Sequence, residues 1–180
     1  MVLLSPDGPL FWPVLTASPE WLDGLPDPVD RWSRRVVTAF AAGLGGRAVF
    51  PFGGPPHAPF FAWALASGRA WPSPVAMLVH DRMGLWASFR GAVVLPHPCP
   101  APPVAPSPCM GCAQPCLKAC PVGALSADGY DTDACHAWLD RPEGQDCLTQ
   151  GCRARRACPL AAAHGRLPRQ AAHHMRHFHP

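Results

Sequence analysis

Eight cysteines within residues 109–158 constrain this chain more than any other feature. The first four read Cys109-Met-Gly-Cys112-Ala-Gln-Pro-Cys116-Leu-Lys-Ala-Cys120-Pro121, a C-x2-C-x3-C-x3-C-P run. The second four are Cys135, Cys147, Cys152 and Cys158, and the last is again followed by a proline, Pro159. A ninth, Cys99, stands apart between prolines and reads as a spare thiol. The first basic residue is Arg31, so no positive segment precedes a hydrophobic run and no secretory signal is expected. The expected localisation is therefore cytoplasmic, where thiols stay reduced. Clustered cysteines in that setting read as metal ligands before disulfides, and an odd total argues against a closed disulfide framework.

The spacing is the layout expected for two [4Fe–4S] clusters, each held by four thiolates. Three closely spaced cysteines wrap one corner of a cubane, and small intervening residues let backbone N–H groups approach the sulfides. The fourth cysteine of such a run is carried too far round to reach the same cluster, and in two-cluster ferredoxins it ligates the other one. The proline after it redirects the chain. Cys109, Cys112, Cys116 and Cys158 are thus expected at one cluster, and Cys120, Cys135, Cys147 and Cys152 at the other. A structural zinc protein is the alternative, because four-cysteine zinc sites also use C-x2-C. The two Cys-Pro endings, and the lack of histidines at finger spacing, favour iron.

The remaining sequence suggests how that region is carried. Prolines number 25 of 180 residues, about three times the usual share, so long helices should be few. Residues 96–108, PHPCPAPPVAPSP, read as an extended connector. We expect an α+β protein: a small α/β domain over 1–95, the linker at 96–108, and a ferredoxin-like double-cluster module with a C-terminal helix over 109–180. In the first part, Met1–Leu4, Ala48–Phe52, Val75–Val79 and Leu85–Leu95 read as strands, the last two flanking a turn at 80–84. Asp27-Pro28 reads as a helix start, with Trp32, Val36, Val37, Phe40 and Leu44 on the buried face. Pro59–Ala66 reads as a short helix. Six of the seven tryptophans fall in this part and are expected to fill its core. The net charge of +3 comes from dispersed arginines, so no nucleic-acid stripe is evident. No uninterrupted apolar span points to a membrane helix.

The C-terminal half resembles the double-cluster ferredoxin module. It is most similar to the C-terminal region of epoxyqueuosine reductase and related corrinoid-dependent reductases, where an isolated cysteine and a final run ending in Cys-Pro also follow the first motif. Leu78–Trp86, then Gly91, resembles the hairpin that precedes the module in those enzymes. The resemblance implies an electron-transfer protein with a redox partner protein. Its alternative is a reductase with a bound corrinoid or flavin, for which His80 and Asp81 are candidates through the matching hairpin. Cys112-x3-Cys116 departs from the usual pattern by one residue, read as an insertion of Pro115. Tyr130 reads as a packing residue, and His136 as a neighbour of Cys135. His173 and His177, at i and i+4 with His174 and His179 near, read as part of a helix covering the module rather than as metal ligands. Lys118, Arg153, Arg155 and Arg156 lie beside ligands and are available to offset cluster charge or to meet an acidic partner.

Overall fold

A computed structural model describes residues 1–100 and 102–180. In chain order its elements are β1 (Val2–Leu4), α1 (Gly8–Thr16), α2 (Pro19–Leu22), α3 (Pro28–Gly43), β2 (Arg47–Val49), α4 (Phe60–Ala66), β3 (Ala70–Pro72), β4 (Leu78–His80) and β5 (Gly91–Val94). There follow α5 (Cys116–Ala119), β6 (Leu125–Ser126), β7 (Gly129–Tyr130), α6 (Thr132–Leu139), α7 (Gln145–Gln150), α8 (Arg153–Ala157), α9 (Pro159–Ala163) and α10 (Pro168–Phe178). Helices combined with short antiparallel sheets make this an α+β protein. No described helix is long and apolar enough to cross a membrane.

Two compact units divide the chain, and the division departs from the boundary expected at 96–108. One unit comprises Met1–Gly68 and Ser88–Val104, the other Arg69–Ala87 and Ala105–Pro180. The last of the three crossings falls inside the proline-rich run, but the hairpin of β3 and β4 groups with the cysteines. Burial explains this. Val75, Val79, Leu85 and Trp86 share one core with Cys116, Leu125, Ala154, Cys158, Ala161 and Ala171. Trp86 therefore belongs to the cysteine unit, with Trp71 packed against the same core, rather than to an N-terminal core.

The first unit is organised around β5, the centre of a three-stranded sheet in the order β1-β5-β2. Leu3 lies opposite Ala92, and Ala48 opposite Val93. Helix α3 covers this sheet through Val37 and Ala41, which form a cluster with Val93. Its buried face is Val29, Ser33, Val37 and Ala41, which keeps only Val37 of the expected stripe. Phe40 and Leu44 are 49% and 45% exposed. Small side chains win the buried face because α3 runs close to the strand: a Cβ added at Gly91 would sit 2.9 Å from Val37. Ser33 is tolerated there because its hydroxyl donates to Val29 O at 2.6 Å and accepts from Arg90 Nε at 3.2 Å.

The strand expectations need trimming. Ala48–Phe52 stops as a strand at Val49, before Pro51, whose ring cannot donate to a ladder. Val75 and Ala76 lie in a turn that Ser73 organises by accepting the Val75 and Met77 N–H groups, and the strand is Leu78–His80. Of Leu85–Leu95 only Gly91–Val94 is strand, since Leu85 and Trp86 turn into the cysteine unit's core. Helices α1 and α2 were not expected.

Glu20, on α2, accepts from Arg35 Nη2 at 3.0 Å and from Arg35 Nε. Those hydrogen bonds pull its carboxyl down from 4.5 to about 2, against a smaller opposing effect of desolvation. A depressed folded-state value contributes stability above the unfolded value, and that contribution is lost as pH falls from 4.5 toward 2. Glu20→Gln should therefore lose less thermal stability than the wild type between about pH 5 and about pH 3. Equal acid losses in the two proteins would refute this role for the pair.

Candidate metal centre

Local backbone rules place each cysteine. Cys109 and Cys112 lie on the loop before α5, where Gly111 and Gln114 adopt left-handed conformations at φ 76° and 52°. Gln114 takes up the extra residue of Cys112-x3-Cys116, and Cys116 then opens α5 as a buried thiol. Cys120 and Cys158 both precede proline, which disfavours helical geometry. Both are accordingly extended, with ψ 121° and 124°, and each leaves its helix at that point. Cys135 sits in the first turn of α6, whose Asp131 cap accepts the Ala134 N–H at 2.9 Å. Cys147 is buried on α7, and Cys152 caps the N-terminus of α8.

Four of the thiols meet at one place. Cys109, Cys112, Cys116 and Cys158 line one cavity of about 60 Å³ with Val79, Leu85, Pro115 and Leu160. Burial pushes the Cys109 thiol up, Ser107 opposes this by hydrogen bonding, and Cys112 and Cys158 add to the rise. Cys116 is likewise raised by burial, then by Cys158 and Cys109. Cys120, Cys147 and Cys152 lie within electrostatic reach of Cys135. Burial raises Cys135, Tyr130 opposes, and Cys152, Cys120 and Cys147 add. Cys147 is raised by burial and, among thiols, by Cys152. Cys99 is exposed and lies in the other unit. None of the nine cysteines is in a disulfide. Among the described residues, no three His, Cys, Asp or Glu side chains are arranged to hold a single metal ion.

The charged surroundings differ from a simple basic loop. Arg153 Nε donates to Asp146 Oδ2 at 2.7 Å, and Arg156 pairs with the same carboxylate. These pairs clamp the segment between Cys147 and Cys152, and the Arg153 hydrogen bond holds the Asp146 carboxyl below its ordinary range. Arg155 and Arg166 instead lie over Trp86, at 5.9 and 4.7 Å from ring centroids. Burial lowers Arg166 to about 10, with the Arg155 charge adding to the effect. Arg166 Nε is buried without a hydrogen-bond partner. Neither guanidinium meets a carboxylate among the described residues, although Arg155 feels Cys152 electrostatically.

Tyr130 does more than pack. Its Oη–H donates to Cys135 Sγ at 3.1 Å, and its ring stacks on Phe178 of α10 at 6.0 Å. Its ionisation is pushed upward, first by burial and then by that hydrogen bond. The available sequence signal was a lone tyrosine five residues before a ligand candidate. His136 stacks on the other partner of this group, Phe178, and contacts His179 through Nδ1 at 2.5 Å. His179 Nε2 in turn meets Asp140 Oδ1 at 3.0 Å. His173 is buried, and His177 Nδ1 bonds its carbonyl oxygen at 2.8 Å, so this pair packs α10. In the hairpin, Asp81 pairs with Arg69 and lies 2.9 Å from His80 Nδ1. Both hairpin candidates are thereby engaged in closing their own turn. Compared with family models, curated proteins and solved structures, the chain matches none.

Proposed function

We propose that this chain binds two [4Fe–4S] clusters and passes single electrons between redox partner proteins. The observation that carries the reading is the gathering of Cys109, Cys112, Cys116 and Cys158 around a single cavity, with Cys135 in electrostatic reach of Cys120, Cys147 and Cys152. Cys109, Cys112, Cys116 and Cys158 would hold one cluster, and Cys120, Cys135, Cys147 and Cys152 the other. The bound clusters supply reversible one-electron chemistry. The protein's part is to hold the thiolates, shield them from water and set the surrounding charge.

The two Cys-Pro endings, Cys120-Pro121 and Cys158-Pro159, favour a cubane over zinc. Charge supports the same reading. The cysteine unit carries ten basic and seven acidic side chains, while the other unit has five of each. Two four-thiolate clusters would bring about −4 to the unit holding that excess, which includes Arg155 and Arg166, two guanidiniums that meet no carboxylate among the described residues.

Iron, acid-labile sulfide and the visible spectrum of anaerobically purified chain test the proposal together. About eight iron and eight sulfide per chain, with a broad band near roughly 400 nm, is the expected result. Zinc without sulfide would overturn it in favour of a structural zinc protein. Additional corrinoid or flavin bands would move the reading to the reductase.

A further inference from the structure

We propose that the Tyr130 phenol raises the reduction potential of the cluster held by Cys120, Cys135, Cys147 and Cys152, and so tips the sharing of one electron between the two clusters toward that site. This rests on the cluster reading above. The geometry behind it is the hydrogen bond from Tyr130 Oη–H to Cys135 Sγ at 3.1 Å. A donor on a ligand sulfur draws electron density away from iron and stabilises the more negative, reduced cluster. The couple is simple: [4Fe–4S]2+ takes one electron to give [4Fe–4S]+, with no proton moved and no bond made or broken.

Two contacts orient the phenol, which is 39% exposed. Tyr130 pairs with buried Leu125 across the β6–β7 hairpin, and Phe178 stacks on its ring with an interplanar angle of 13°. The other group of thiols draws on other donors: Gln114 N–H reaches Cys112 Sγ at 3.4 Å, backbone N–H groups serve Cys116, and the aliphatic hydroxyl of Ser107 hydrogen-bonds at Cys109. A phenol is a more acidic donor than an amide or an aliphatic hydroxyl, so the two sites are polarised unequally.

Tyr130 is the only tyrosine in the chain, so 3-fluorotyrosine can be incorporated at this position alone. The experiment is an EPR-monitored redox titration of the full chain as wild type, as Tyr130→Phe and with 3-fluorotyrosine, after iron and sulfide have been measured. Tyr130→Phe should shift one cluster's one-electron equilibrium about tenfold toward the oxidised form, about 59 mV, and leave the other unmoved. The more acidic fluorophenol should move the same midpoint the opposite way, by less. Should the Phe variant fail to load, the fluorinated protein still decides. The shift should persist in a Cys116→Ala background, which retains only the Cys135 site. A loaded protein whose midpoints ignore both changes, or whose shift belongs to the cluster lost in Cys116→Ala, overturns this proposal alone. Absence of iron and sulfide from the wild type overturns the cluster reading with it.

Discussion

Replacing Cys116 with alanine is expected to halve the iron and acid-labile sulfide of the anaerobically purified chain, from about eight of each to about four. Cys116 is the informative position because its spacing departs from the usual motif. The structure absorbs the extra residue in the left-handed Gln114 and the Pro115 cap, and still brings the thiol to the cavity with Cys109, Cys112 and Cys158. The loss should also be felt as stability. Cys116 is 7% exposed and sits in the core with Val79, Leu85 and Cys158. Truncating a buried side chain of that size costs on the order of 1 kcal/mol. Losing a cluster removes binding free energy that is also folding free energy, so the thermal midpoint should fall by far more than the truncation explains. Cys99→Ala, at an exposed thiol outside both groups, should keep all its iron and its midpoint. A Cys116→Ala protein with full iron and sulfide would sink the ligand assignment.

Legibility in the sequence followed how local the determining physics was. The two Cys-Pro steps could be read directly, since proline restricts the residue before it and both Cys120 and Cys158 are extended. The helix Pro168–Phe178 was equally readable from its leading proline and short length. The face of α3 was not. Its sequence carries Trp32, Phe40 and Leu44 at helical spacing, but the approach of α3 to β5 selects small residues, and no periodicity reports that distance. The unit boundary was hidden for a similar reason. A proline-rich run marks where a chain can be extended, whereas the hairpin's allegiance is set by where Leu85 and Trp86 find apolar partners far along the sequence. Around the thiols, the residue types were legible and their partners were not. Arg153, Arg155 and Arg156 look alike in sequence, but Asp146 takes the first and last while Arg155 turns to Trp86.

Gly84→Ala should disable the same thiol group as Cys116→Ala without touching a sulfur. Gly84 closes the hairpin turn through reciprocal backbone bonds with His80, at 2.9 and 3.1 Å, and does so at φ 55°. An alanine there carries about 1 kcal/mol of left-handed strain. Space is the larger problem. A Cβ at this position would stand 2.9 Å from Ala161 Cα and 2.9 Å from Cys158 Sγ, and the backbone at the start of α9 cannot swing aside as a flexible side chain can. Overpacking of that kind costs roughly 1–3 kcal/mol, so the total is about 2–4 kcal/mol. The displaced group includes Cys158, whose Cys-Pro step brings it to Cys109 and Cys116, so iron should fall toward about four per chain alongside the thermal midpoint. Gly24→Ala separates strain from crowding: its φ is 70° and nothing lies within 4 Å of an added Cβ. That variant should lose about 1 kcal/mol and no iron. If Gly84→Ala also loses only that much and stays fully loaded, the hairpin does not hold Cys158 in place, and the grouping of 69–87 with the cysteines is packing without consequence for the site.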